Sequence, residues 1–296
     1  MPNETTYEKN DHMNCKIGFN LLAWSAVVSD DLRPMVDRLK EIGYDGVEFA
    51  MAQSDTDAYK RLGKHAIDLG MEVNFVLALG ADENPIHESP AVRQKALDKM
   101  KWAIDRAHDL DAKVICGPFH SAFAVFAMRP PTEQEYHWSS DILRQAGDYA
   151  SRAGVTLALE AINRFECYLC NTVAQVDKIL KETDHPSVKA MYDTHHANIE
   201  EKGIKESIDL LGPNLVHVHI CENDRGTPGD GHIPWDETFQ ALASNGYKGW
   251  LTIEAFTRND PAFADAINVW REFSKPWDVA RDGLAFIKRM GEKYNL

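Results

Sequence analysis

The chain contains no run of about 18 apolar residues, the length a helix needs to cross a bilayer, so it does not read as a helical membrane protein. It is also short of positive charge. Its 32 Lys and Arg stand against 46 Asp and Glu, and the formal charge of -14 opposes phosphate backbones and anionic lipid surfaces. Neither a nucleic-acid nor a membrane partner is expected. Cysteine is sparse, with five in 296 residues (Cys15, Cys116, Cys167, Cys170 and Cys221). An odd, scattered set builds no disulfide framework and suits reduced thiols in the cytoplasm. Cys167 and Cys170 form a CxxC, but no second pair follows at zinc-ribbon spacing, so they read as packed thiols. The opening MPNETTYEKNDH is polar and acidic where a secretory signal would be basic and then apolar. Residues 1–13 lack the apolar content to fold alone and are expected to be a disordered tail before a folded domain at 14–296.

What the sequence does hold is 44% apolar residues arranged as short β-rich runs alternating with amphipathic helical stretches. That order signals βα units and a parallel sheet. Eight strands are predicted: KIGFNLL (16–22), DGVEFA (45–50), EVNFVLA (72–78), KVICGPF (113–119), TLALEAI (156–162), VKAMYDT (188–194), LVHVHIC (215–221) and GWLTIEA (249–255). Helices are predicted near 31–42, 56–69, 91–109, 132–153, 172–184, 203–210, 236–244 and 278–290. Gly43, Gly70, Gly154 and Gly246 follow helix ends, where a left-handed residue stops the helix without Cβ strain. Eight such units in one uninterrupted series predict a single-domain α/β (β/α)8 TIM barrel, whose active site is built at the C-terminal ends of the strands.

At four of those ends stands a side chain able to bind a metal. Glu160 follows TLAL, Asp193 ends VKAMYD, His219 lies in VHVHIC, and Glu254 follows WLTI. A carboxylate that interrupts an apolar strand is costly to bury unless a cation or donors satisfy it. Three oxygen donors and one imidazole suit a hard to borderline divalent ion: Mn2+ foremost, with Co2+ or Mg2+ as alternatives. His217 and His219 point to the same face of their strand. The one nearer the C-terminal end, His219, is the better ligand, and His217 reads as a deeper core histidine. His195 and His196 are adjacent, so on a strand only one of them can face the pocket.

At these residues the chain resembles the ketose 3-epimerases, the D-tagatose and D-psicose (D-allulose) 3-epimerase group of the xylose isomerase-like barrels. The likeness spans about 15–290. It is carried by Glu160 with NRFE (163–166), Asp193 with His196 and Asn198 in YDTHHAN, His219 with ENDRGTPGDGH (222–232), and Glu254. The resemblance implies that Glu160, Asp193, His219 and Glu254 bind the metal and that Glu160 and Glu254 are also the catalytic acid/base pair. It further implies that Glu166, His196 and Arg225 hold the O1 to O3 end of a ketose. His195 and Ala197 depart from the family, where an aromatic and a larger apolar residue often flank the histidine.

The implied reaction inverts C3 of free ketoses of the D-tagatose/D-sorbose, D-fructose/D-psicose or ribulose/xylulose type. One carboxylate removes the C3 proton, a cis-enediolate forms, and a second carboxylate protonates the opposite face. Phe119, Phe123, Val125 and Phe126, with Phe19 and Trp24 after the first strand, are candidates for the wall around the sugar's far end. Of these, Phe19 is taken as a substrate contact. Trp235 and Trp250 read as structural. A homodimer or homotetramer is expected. The alternatives are a hydroxypyruvate isomerase, an aldose–ketose isomerase or an inosose dehydratase on the same barrel. An endonuclease IV-type phosphodiesterase would need a basic face that a charge of -14 opposes.

Overall fold

The computed structural model describes residues 13–52 and 55–296. Eight strands run parallel in sequence order and close into a barrel: β1 (Lys16–Asn20), β2 (Gly46–Ala50), β3 (Glu72–Val76), β4 (Val114–Gly117), β5 (Thr156–Leu159), β6 (Val188–Asp193), β7 (Leu215–Ile220) and β8 (Trp250–Ile253), with β8 paired back onto β1. The helices are α1 (Arg33–Ile42), α2 (Thr56–Asp68), α3 (Pro90–Asp109), α4 (Glu133–Ala153), α5 (Val173–Thr183), α6 (Thr194–Glu200), α7 (Ile204–Leu211), α8 (Trp235–Ser244), α9 (Pro261–Ala266) and α10 (Pro276–Tyr294). Among the described residues, no helix is long and apolar enough to cross a membrane. Residues 1–12 of the expected tail lie outside the described residues. Met13, expected to belong to the tail, instead packs on the core beside Gly291.

Strand alternation sorts the side chains into two layers. Ile17, Phe19, Val47, Phe49, Val73 and Phe75 belong to the large core cluster, and the three phenylalanines are fully buried. Each such ring removes enough apolar surface from water to contribute roughly 2–3 kcal/mol. This corrects the expectation for Phe19. The neighbouring Asn20 points into the barrel, so Phe19 must point away from it, and its ring packs against Trp24 at 5.0 Å and Tyr44 at 5.4 Å. Phe19 and Trp24 are therefore packing residues between sheet and helices. Phe119 is also fully buried, whereas Phe126 on the loop after β4 is exposed.

Inside the barrel, Trp250 fills the N-terminal end. A Cβ on Gly46 would stand 2.6 Å from its ring, so only glycine leaves it room. The opposite end is polar. The register sets Asn20 beside Glu48 on β1 and β2, and Asp193 beside His219 on β6 and β7.

Seven of the eight predicted strands, all but β2, overrun the observed C-terminal end, where the chain leaves the ladder at this polar rim. After β1 the Asn20 side chain caps a short 3-10 turn at Leu21–Ala23. Two helices were not predicted. Asp193 ends β6 and caps α6 at once, and Asp260 caps α9 with Pro261 in its first turn. The four glycine stops all have positive φ, from 62° to 105°.

Candidate metal centre and active site

Glu160 and Glu254 each lie one residue past the end of a strand, β5 and β8, separated around the rim by β6 and β7. Asp193 is the last residue of β6, and His219 is the penultimate residue of β7. All four are buried. The ligand atoms of Glu160, Asp193 and His219 lie within 4.8 Å of one another, and Glu254 joins Asp193 and Cys221 in a second group of the same span. His219 Nδ1 is 3.5 Å from Glu254 Oε1 and 3.7 Å from Asp193 Oδ2, yet it makes no hydrogen bond. A buried imidazole nitrogen without a partner, facing carboxylates, is the arrangement a divalent cation would complete, and the donor set fits a hard to borderline ion.

Local structure orients Asp193. As the N-cap of α6, its Oδ1 accepts from the N–H groups of His195 (2.7 Å) and His196 (3.0 Å), which leaves Oδ2 turned toward the site. There Arg225 enters from the loop after β7. Its Nη1 donates to Asp193 Oδ2 (3.2 Å) and Glu254 Oε2 (2.9 Å), while the guanidinium lies 4.7 Å from the centre of the Phe256 ring. Arg225 has φ 66°, a left-handed conformation that costs a non-glycine residue about 1–2 kcal/mol.

His196 is fixed from behind. The backbone N–H of Asn163 donates to its Nδ1 at 3.1 Å, and its Nε2 lies 3.0 Å from the donor Arg225 Nη2 and 3.6 Å from Glu160 Oε1. Asn163 Nδ2 also donates to Glu166 Oε1 at 2.9 Å. Because residues 194–200 are helical, strand alternation does not govern the histidine pair: His196 is buried at the site, while His195 Nδ1 sits 3.2 Å from Glu222 O.

The charges are strongly interdependent. Burial, reinforced by the negative charge of Asp193, pushes Glu160 well above the usual carboxylate range. Burial opposes the ionisation of Asp193, but the Arg225 guanidinium, with His219, holds it well below that range. For His219 burial also opposes the shift, but Glu254 and Glu48 hold it well above the ordinary imidazole value. His196 is driven well below by burial, and burial raises Glu166.

Two findings lie outside the sequence reading. Glu48, on β2, is 1% exposed. Its Oε1 is 2.8 Å from His219 Nε2 and accepts from Asn20 Nδ2 at 2.9 Å; its Oε2 is 3.0 Å from His217 Nε2 and accepts from the Cys116 thiol at 3.2 Å. Glu48, Cys116, His217 and His219 thus form a buried group below the first that could itself hold a metal. Glu222, in the loop after β7, is an internal brace. It accepts from the N–H groups of Asn223, Gly229 and Ile233 and from Trp235 Nε1. Trp235 is structural, as expected. Cys167 and Cys170 are buried free thiols.

A family model described as the xylose isomerase-like TIM barrel matches residues 36–290, and the chain belongs to that family. Within it, the chain stands among the ketose 3-epimerases. It is 31% identical over 268 residues to a D-psicose 3-epimerase of Ruminiclostridium cellulolyticum, covering 89% of this chain and 91% of that one. Among solved structures, an L-ribulose 3-epimerase superposes with a TM-score of 0.89 at 28% identity, covering 95% of this chain and 96% of the other. A D-allulose 3-epimerase from Methylomonas sp., in complex with D-allulose, gives 0.87 at 28% identity over 93% and 97%.

Proposed function

We propose that this enzyme is an isomerase that inverts C3 of free ketoses, with Glu160 and Glu254 as its acid/base pair. The observation that carries the reading is the placement of these two buried carboxylates beyond β5 and β8, on either side of His219 and Asp193. Glu160, Asp193, His219 and Glu254 would hold one divalent ion, Mn2+ foremost, which would supply positive charge for the ketose C2 oxygen as the adjacent C3–H bond breaks.

Removal of the C3 proton by one carboxylate leaves the electron pair in a planar enediolate of the sugar. Protonation by the opposite carboxylate then returns C3 with inverted configuration. Either carboxylate can take the proton and the other return one, the roles exchanging between the forward and reverse reactions. His196 and the guanidinium of Arg225 would hold the O1 to O3 end of the sugar, the guanidinium as donor and Glu166 as an acceptor. Phe123, Val125 and Phe126 remain the candidates for the wall at the far end.

The substrate is read as unphosphorylated. The segment after β8, AFTRNDPAF, has no glycine to form a phosphate cradle, and its single Arg258 is engaged by Val269 O and Asp265. The same reading includes a cytoplasmic location, supported by five buried free thiols. It also includes a homodimer or homotetramer.

The test is a panel of D-fructose, D-tagatose, D-psicose and ribulose with their phosphate esters, with products separated by chromatography. C3 epimers of the free sugars are expected, lost on chelation and restored by Mn2+. A higher kcat/KM for the esters, an aldose product, or full turnover by metal-free protein would overturn the reading.

A further inference from the structure

Glu48 is a buried carboxylate that the proposed proton transfers do not use. We infer that it is a positioning residue that decides which nitrogen of His219 faces the metal position; the inference rests on reading Glu160, Asp193, His219 and Glu254 as a metal site. A neutral imidazole binds a metal through the nitrogen without a proton, so ligation through Nδ1 requires the proton to sit on Nε2 and to have an acceptor there. Glu48 Oε1, 2.8 Å from Nε2, is that acceptor. His219 is fully buried, out of contact with bulk solvent.

The surroundings of Glu48 keep it an acceptor. Asn20 Nδ2 donates to Oε1 at 2.9 Å and the Cys116 thiol donates to Oε2 at 3.2 Å. The amide of Asn20 is itself held in this sense, because its Oδ1 accepts from Leu22 N–H at 2.9 Å. The same Nδ2 reaches Glu254 Oε1 at 3.3 Å, so one amide ties the positioning carboxylate to a metal-site carboxylate. With Nε2 held, Nδ1 is left without a hydrogen bond, 3.5 Å from Glu254 Oε1 and 3.7 Å from Asp193 Oδ2. His217, two residues earlier on β7, brings its Nε2 to 3.0 Å from the other oxygen, Oε2.

Two measurements test this. Nitrogen NMR of histidine-labelled protein loaded with Zn2+ as a diamagnetic stand-in, with the His219 signal assigned by its loss in His219→Gln, should find the ring proton on Nε2. A proton on Nδ1, or on neither nitrogen because the Glu48 group itself takes up metal, would overturn the inference without need of any Glu48 variant. Calorimetric titration with Mn2+ should show Glu48→Ala binding about 10- to 100-fold more weakly. Glu48→Gln, which keeps an oxygen for Nε2–H, should recover most of the affinity. Mn2+ affinity within about threefold of the parent in Glu48→Ala would contradict the role, since removing such a partner ordinarily costs tenfold or more. Failure of the parent protein to bind Mn2+ would instead overturn the metal reading and this inference together.

Discussion

At the scale of single residues, the site depends on carboxylates buried where apolar side chains would otherwise stand. Replacing Glu160 or Glu254 by Gln keeps size and a coordinating oxygen but removes the proton acceptor. Each variant should therefore fold while losing epimerisation by several orders of magnitude in both directions. Retention of more than about a tenth of turnover with metal occupancy verified, a barrier change under ~1.4 kcal/mol, would disprove the two-carboxylate mechanism. Glu160 and Glu254 were readable in the sequence because each interrupts an apolar run, and burial of a charge needs a reason. Glu48 in GVEFA obeys the same rule, but no local pattern reveals that the end of β2 meets β7 across the barrel. Phe19 failed for a related reason: parity along β1 decides which side chain faces inward, and only Asn20 marks it.

Among the elements, capping groups explain both what could be foreseen and what could not. Glycine stops and helical periodicity locate the eight main helices. The end of β6 reads as strand followed by loop until Asp193 is recognised as the N-cap of α6, which then directs its second oxygen to the site. A second carboxylate braces α4. Glu135 closes a capping box with Thr132, pairs with Arg129 at 2.8 Å and accepts from the Tyr168 hydroxyl at 2.6 Å. Burial works against its ionisation, but these partners lower its pKa to about 2 from 4.5. Since the folded value lies below the unfolded one, the ionised form stabilises the fold above the unfolded pKa, and that stability is lost as pH falls through the folded pKa. Glu135→Gln should therefore cost about 1–2 kcal/mol at neutral pH, with the deficit shrinking between pH 4.5 and about 2 in urea titrations. A deficit independent of pH would show that the brace acts through shape alone.

For the whole molecule, closure of eight strands converts four separated sequence positions into one rim. The spacing of strand ends made the barrel and its active face legible, whereas the depth of the polar interior, with Glu48, Cys116 and His217 beneath the first group, emerges only from closure. The account's central claim is that this rim moves a proton at C3 of a ketose. Incubating the Mn2+-loaded enzyme with its productive free ketose in D2O and locating the label by NMR tests it directly. Deuterium at C3 alone, in substrate and epimer as equilibrium is approached, is the predicted result; label at C1, or epimer formed without solvent deuterium, would contradict the account.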